Sequence, residues 1–281
     1  MYSERTSRLG GVSERTLIEN NSLDGKIPRS FAARSFSPAQ RTLWVTDLGL
    51  RPYSEIWSLQ EDLVALRQRE SVPDLLLLVE HEPVFTLGKG GRQDHILISS
   101  EEMARRGISA HRVDRGGDVT FHGPGQMVAY PILDLSFHGK DVHLYCRKLE
   151  EAGLRILSDY GLIGRRVPGF TGVWVGEDKI MAIGVGVKRW ISYHGLAFNV
   201  NTDLDCFRFI HPCGIKDRGV TSLARLLQRE IPMEEVKETL LHHFASLFET
   251  SIARIRETEI FEVMHGKGKE TLLAGTKGPQ T

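Results

Sequence analysis

The sequence predicts an α/β (α+β) fold, a mixed β-sheet core flanked by helices, on three observations. Short apolar runs such as Leu75-Leu76-Leu77-Leu78-Val79 have the length and composition of buried strands. Segments such as Tyr53 to Arg69 and Val142 to Tyr160 repeat their apolar residues at helical spacing. The two kinds of segment interleave, and interleaved strands and helices bury their apolar faces by packing in layers. With 281 residues, 41% of them hydrophobic, the chain can build a sizeable core.

Composition narrows the function. Basic and acidic residues balance at 36 each, which argues against a nucleic acid or a membrane surface as the main partner. No apolar run approaches the roughly 20 residues that cross a bilayer. The three cysteines, Cys146, Cys206 and Cys213, form no C-x-x-C pair and follow no secretory h-region, so a reducing, cytoplasmic setting is expected. Residues 1–40 are rich in Ser, Arg and Asn without periodicity and read as a disordered extension; Glu4, Glu14, Glu19 and Asp24 set them apart from an acid-poor transit peptide. The folded domain is expected over 41–250, with 251–281 a C-terminal segment ending in a solvated tail.

Leu43 to Gly49 reads as a strand, Tyr53 to Arg69 as a helix, and Leu75 to Glu80 and Val84 to Leu87 as strands. The loop Gly88-Lys89-Gly90-Gly91-Arg92 is glycine-rich and basic, but lacks the G-x-x-x-x-G-K-[ST] pattern of a phosphate loop. Glu101 to Arg106 suits a short helix. Ile108 to Leu135 alternates in strand fashion around Arg115-Gly116-Gly117-Asp118-Val119-Thr120-Phe121-His122-Gly123-Pro124-Gly125-Gln126. Two glycine clusters this close mark either tight hairpin turns or backbone brought near a ligand. Arg115, Thr120, His122 and Gln126 supply the sparse polar set that orients a substrate in an apolar pocket.

Val142 to Tyr160 is the clearest helix, stopped by Gly161, and Cys146 within it reads as structural. Gly172 to Gly176 and Lys179 to Val187 pair as strands across a turn, and Trp190 to Val200 adds another whose Gly195 admits close approach. Thr221 to Gln228 and Met233 to Phe248 read as helices. Between them and the strands lies Pro212-Cys213-Gly214, where proline stiffens the backbone before the thiol and glycine lets it turn after. Such a loop displays a nucleophile, although a cysteine can also simply pack in a turn. His242 and His243 are neighbours on a helix and point apart, so they offer no shared metal face.

Taken together, Arg115 to Gln126, Lys179 with Ala182-Ile183-Gly184, Tyr193-His194-Gly195-Leu196-Ala197-Phe198-Asn199, and Pro212-Cys213-Gly214 with Thr221-Ser222-Leu223 resemble the motifs of the lipoyl (octanoyl) transferases, in that family's order. The likeness spans about Leu43 to Phe248. It implies the fold of biotin and lipoate protein ligase catalytic domains. It implies octanoyl transfer from octanoyl-acyl carrier protein to a lysine of lipoyl domains, those of 2-oxoacid dehydrogenases and the glycine cleavage H protein. It implies Cys213 as the thioester-forming nucleophile and Lys179 as the partner that lowers its pKa and moves the proton. Arg115, Gly116, Gly117, Asp118, Val119, Thr120, Phe121 and His122, then Ala182, Ile183 and Gly184, then Gly195, Leu196 and Ala197, would line the substrate pocket. The reaction it implies calls for no cofactor and no metal. Two rivals stay open, an ATP-dependent lipoate or biotin protein ligase and a non-catalytic acyl-binding module. A papain-like hydrolase fits less well, because Cys213 sits late in the chain with no histidine block behind it.

Overall fold

A computed structural model describes residues 41–211 and 219–265. The chain enters as β1 (Arg41–Arg51) and turns at Pro52 into α1 (Tyr53–Gln68). Next come β2 (Asp74–His81) and β3 (Val84–Leu87), then α2 (Ser100–Arg105), whose first turn is capped by the Ser99 hydroxyl. β4 (Ser109–Arg112), β5 (Val119–His122) and β6 (Gln126–Ile132) follow. α3 (Val142–Asp159) opens on Asp141, whose carboxylate accepts from the N–H groups of His143 and Leu144. It closes at Gly161, held at φ +71° while Leu162 N–H reaches back to the Leu157 carbonyl.

After α3 the chain forms β7 (Arg165–Val167), β8 (Phe170–Val175), β9 (Asp178–Lys188) and β10 (Ile191–Asn199). The described residues close with α4 (Leu223–Leu227), α5 (Met233–Phe248), β11 (Thr250–Arg254) and α6 (Glu257–Met264). Among the described residues, eight strands make one mixed sheet in the order β11-β1-β2-β6-β10-β9-β8-β7, and β4-β3-β5 make a second. β1 runs parallel to both β2 and β11, and β2 through β8 pair antiparallel within the large sheet.

β2 shows why its apolar run is unbroken: both faces are covered. Leu76 and Leu78 point into a core shared with α3 and α5, whereas Leu75, Leu77 and Val79 point into a second core under α1 and α6. A third cluster, around Phe85, Phe121 and Ile210, holds the small sheet.

Two features of the topology go beyond what the sequence specified. β5 and β6 do not form a hairpin: β5 pairs with β3, and β6 with β2 and β10, so the chain changes sheet at Gly123-Pro124-Gly125. Gly125 sits at φ +78° in that crossing, and a Cβ there would meet the Asn201 backbone at 2.7 Å. The sheet also continues beyond residue 250, since β11 edges it and Ile260 of α6 is buried in the core under α1.

Candidate active site

Both sheets turn one end toward a cavity of about 550 Å³. Lys179 stands on β9 beside it. A bulge in the pairing with β8 sets Trp174 opposite Lys179, and the ammonium lies 4.8 Å from the centre of the indole ring. It also donates to the Thr171 carbonyl at 3.3 Å. The Lys179 backbone is clamped by the segment that returns to the sheet before α4. Its N–H donates to the Gly219 carbonyl, and its carbonyl accepts from Thr221 N–H, both at 3.0 Å.

The loop ahead of β5 is fastened on two sides. Gly88, Lys89 and Gly90 donate their N–H groups to the carbonyls of Asp118, Arg115 and Gly117, and Gly116 N–H donates to the Val185 carbonyl on β9 at 2.9 Å. Glycine at 184 permits that docking, because a Cβ there would lie 2.9 Å from the Gly116 carbonyl oxygen. At Gly195 a Cβ would meet the Ala129 carbonyl oxygen at 2.2 Å. At these two positions the close approach is to the protein's own backbone. The Arg115 guanidinium is buried and donates to the Thr86 carbonyl at 2.7 Å and hydroxyl at 2.8 Å.

A polar chain crosses from this loop to the Lys179 clamp. His122 Nδ1 bonds Gln126 Oε1 at 2.7 Å, Gln126 Nε2 donates to Asn199 Oδ1 at 2.9 Å, and Asn199 Nδ2 donates to the Thr221 carbonyl at 3.0 Å. Burial, followed by the charges of His81 and Arg115, pushes the His122 pKa well below the ordinary histidine value, so the ring is neutral. His194 is almost fully buried at φ +53°, its Nε2–H donating to Asp114 at 2.9 Å. Its Nδ1 has no hydrogen-bond partner among the described residues. Burial lowers its pKa also, against the opposing pull of Asp114.

The cavity wall contains Arg115, Gly116, Gly117, Asp118, Val119, Thr120 and His122, with Lys179, Ala182, Ile183, Gly184, Gly195, Leu196 and Ala197. Phe121 is placed elsewhere. It faces the opposite side of β5, edge-on to Phe85 and Phe207. Cys213 lies outside the described residues, as do the 1–40 extension and the tail from residue 266. The wall further includes His194, whose contact with substrate the sequence left open, and Tyr53, Tyr130, Trp174 and Cys146, to which sequence reasoning assigned no pocket role. The apolar strand and helix patterns that contain them gave no sign of which face would be left open.

Cys146 reaches the cavity wall as a half-buried free cysteine. Burial, then the Glu150 charge, raises its thiol to about 11, and burial also raises Cys206. Near neutral pH both are thiols.

Residues 52–245 match the model of the lipoyl protein ligase A/B catalytic domain. An octanoyltransferase of Desulforamulus reducens is 43% identical over 223 residues, covering 79% of this chain and 98% of that protein. One of Chloroflexus aurantiacus is 50% identical over 211 residues, covering 74% and 95%. Among solved structures, a lipoate-protein ligase A bound with ATP superposes with a TM-score of 0.63 at 19% identity, over 83% of this chain and 94% of that one. A putative lipoate protein ligase from T. acidophilum gives 0.62 at 19%, over 81% and 92%. These structural likenesses define the fold, a mixed sheet with helices on both faces. The chain belongs to the lipoyl protein ligase A/B catalytic domain family, and within it to the octanoyltransferases.

Proposed function

We propose that the protein takes an octanoyl group from octanoyl-acyl carrier protein as a thioester on Cys213 and passes it to a lysine of lipoyl domains, the first step of making lipoate in place. The acceptors are the lipoyl domains of 2-oxoacid dehydrogenases and the H protein of glycine cleavage, and the setting is cytoplasmic. Among the described residues no helix is long and apolar enough to cross a membrane.

One observation carries this reading: Lys179 borders the cavity while its backbone is bonded to Gly219 and Thr221, just beyond the segment that bears Cys213. The other flank of that segment is anchored too, by His211 N–H on the His95 carbonyl at 2.8 Å. His95 in turn bonds Asp118 of the cavity wall at 2.8 Å.

The chemistry follows in two exchanges. The Cys213 thiolate attacks the donor's thioester carbonyl, and the donor's thiol leaves with a proton that Lys179 can give. The acceptor amine then attacks the Cys213 thioester, the thiolate leaves, and Lys179 takes the proton lost by nitrogen. An ammonium near the thiol favours the thiolate, each unit of pKa depression being worth about 1.4 kcal/mol. Val128, Leu196 and Ala197 give the acyl chain an apolar bed. At about 0.8 kcal/mol per buried CH2, seven chain carbons supply roughly 5 kcal/mol before binding costs.

The competing reading is an ATP-dependent ligase with phosphate on the Gly88 to Arg92 loop. A phosphate loop needs free N–H groups, and here Gly88, Lys89, Gly90 and Gly91 each donate to a protein carbonyl. The test is transfer from octanoyl-acyl carrier protein to a lipoyl domain without ATP. Transfer that requires free octanoate and ATP overturns the proposal.

A further inference from the structure

The end of the large sheet near the start of α3 carries a surface that the acyl-transfer chemistry does not use. β9 and β10 join through a two-residue turn, Lys188 pairing with Ile191. The turn residues are Arg189 at φ +52° and Trp190 at φ +70°. Glycine, which has no Cβ, and asparagine, whose short polar side chain bonds locally, are the usual occupants of such a turn, and the bulky residues here are strained in it. The Trp190 backbone has a structural task, accepting from Leu135 N–H at 2.8 Å, but any residue could perform it. The indole itself is 38% exposed.

Beside it lie Phe137, 49% exposed, and Leu144, 43% exposed. A cation covers each aromatic ring: Lys140 Nζ stands 5.3 Å from the Trp190 ring centre, and the Arg41 guanidinium 3.4 Å from that of Phe137. Lys140 is a third left-handed residue, at φ +52°. The nearby carboxylates are occupied, Asp141 on the first N–H groups of α3 and Asp134 on Ser136 and Arg67. The result is a strained, exposed, aromatic and net basic patch.

We propose that this patch, Arg41, Phe137, Lys140, Leu144, Arg189 and Trp190, docks the acidic carrier domain that delivers the octanoyl donor. The charge fits an acidic partner, and the half-exposed rings fit its apolar contacts. The position selects the donor over the acceptor. Lys140 and Leu144 flank Val142 and His143, which line the cavity, but none of the six patch residues lines it. A carrier whose thioester rides on a long flexible arm can dock beside a cavity, whereas an acceptor lysine has only its own side chain to reach in. The inference rests on the acyl-carrier reading above.

The test compares Lys140→Glu/Arg189→Glu and Trp190→Gly with the unaltered full chain. Trp190→Gly removes the indole and relieves the backbone strain, so it separates docking from folding. Three quantities are measured: KM for the octanoyl-carrier donor, the rate with octanoyl-N-acetylcysteamine, a short thioester with no carrier, and KM for the lipoyl-domain acceptor. We expect roughly a tenfold rise in the first with the other two unchanged, and a donor KM that rises with salt in the unaltered chain but not in the double variant. An unchanged donor KM, or a rise in the acceptor KM instead, overturns the assignment. Failure of the unaltered chain to use the carrier donor at all would strike the acyl-carrier reading itself.

Discussion

At the scale of single residues, the proposed chemistry turns on Lys179, whose surroundings fix where its charge sits. The indole of Trp174 and the Thr171 carbonyl hold the ammonium, while Gly219 and Thr221 hold the backbone. If that charge stabilises the Cys213 thiolate, Lys179→Ala will move the pH profile of Cys213 alkylation toward the free-thiol value near 8.5 and cut transfer sharply. Lys179→Arg keeps a cation that does not give up its proton, so alkylation will stay easy while transfer falls. An alkylation profile identical in all three proteins would remove Lys179 from thiol activation. Burial holds the other two cysteines in their thiol form. Iodoacetamide at neutral pH should therefore modify Cys213 well ahead of Cys146 and Cys206, as peptide mapping would reveal, and Cys146→Ser should retain transfer.

At the scale of elements, the site depends on the loop before β5 being docked onto β9. Gly184→Val would set a side chain against the Gly116 carbonyl and Arg115, lifting that loop away. Octanoyl transfer should fall at least tenfold for a stability loss of about 1–3 kcal/mol, the usual range for overpacking. Equal, complete losses of both would mean that the loop is simply part of the core. The segments with strong periodicity, such as α1, α3 and β2, were legible in the sequence because one physical demand, burial on known faces, shaped each of them. The separation of β5 from β6 was not legible, since Gly-Pro-Gly serves a hairpin and a change of sheet equally well. β11 and α6 escaped notice for a related reason: Thr250 to Arg254 is a half-buried edge with little apolar content, and α6 buries Ile260 but leaves Phe261 exposed. Within the site, the motif residues could be read from the chain, whereas the bond between His194 and Asp114 arises only when β10 is brought beside the loop after β4.

At the scale of the whole molecule, buried neutral imidazoles tie stability to pH. His81 donates from Nδ1 to the Arg51 carbonyl and accepts from the Tyr130 hydroxyl, and burial lowers its pKa to about 4. Its folded pKa lies below the unfolded value near 6.5, so as pH falls the unfolded chain takes up the proton first. Stability from this group is complete above about 6.5 and declines toward 4. The loss is about 2 kcal/mol between pH 7 and pH 5, and His122 and His194 act in the same direction. Urea unfolding at the two pH values measures it, and His81→Gln should flatten the slope. The covalent intermediate remains the central claim about what this architecture is for. Its most direct measurement is the intact mass of the protein after brief exposure to octanoyl-acyl carrier protein, without ATP and without acceptor. The account predicts one added octanoyl group, mapped to Cys213, absent from Cys213→Ser and discharged when a lipoyl domain is supplied. An adduct that persists on Cys213→Ser, or transfer to the lipoyl domain by that variant, would contradict it.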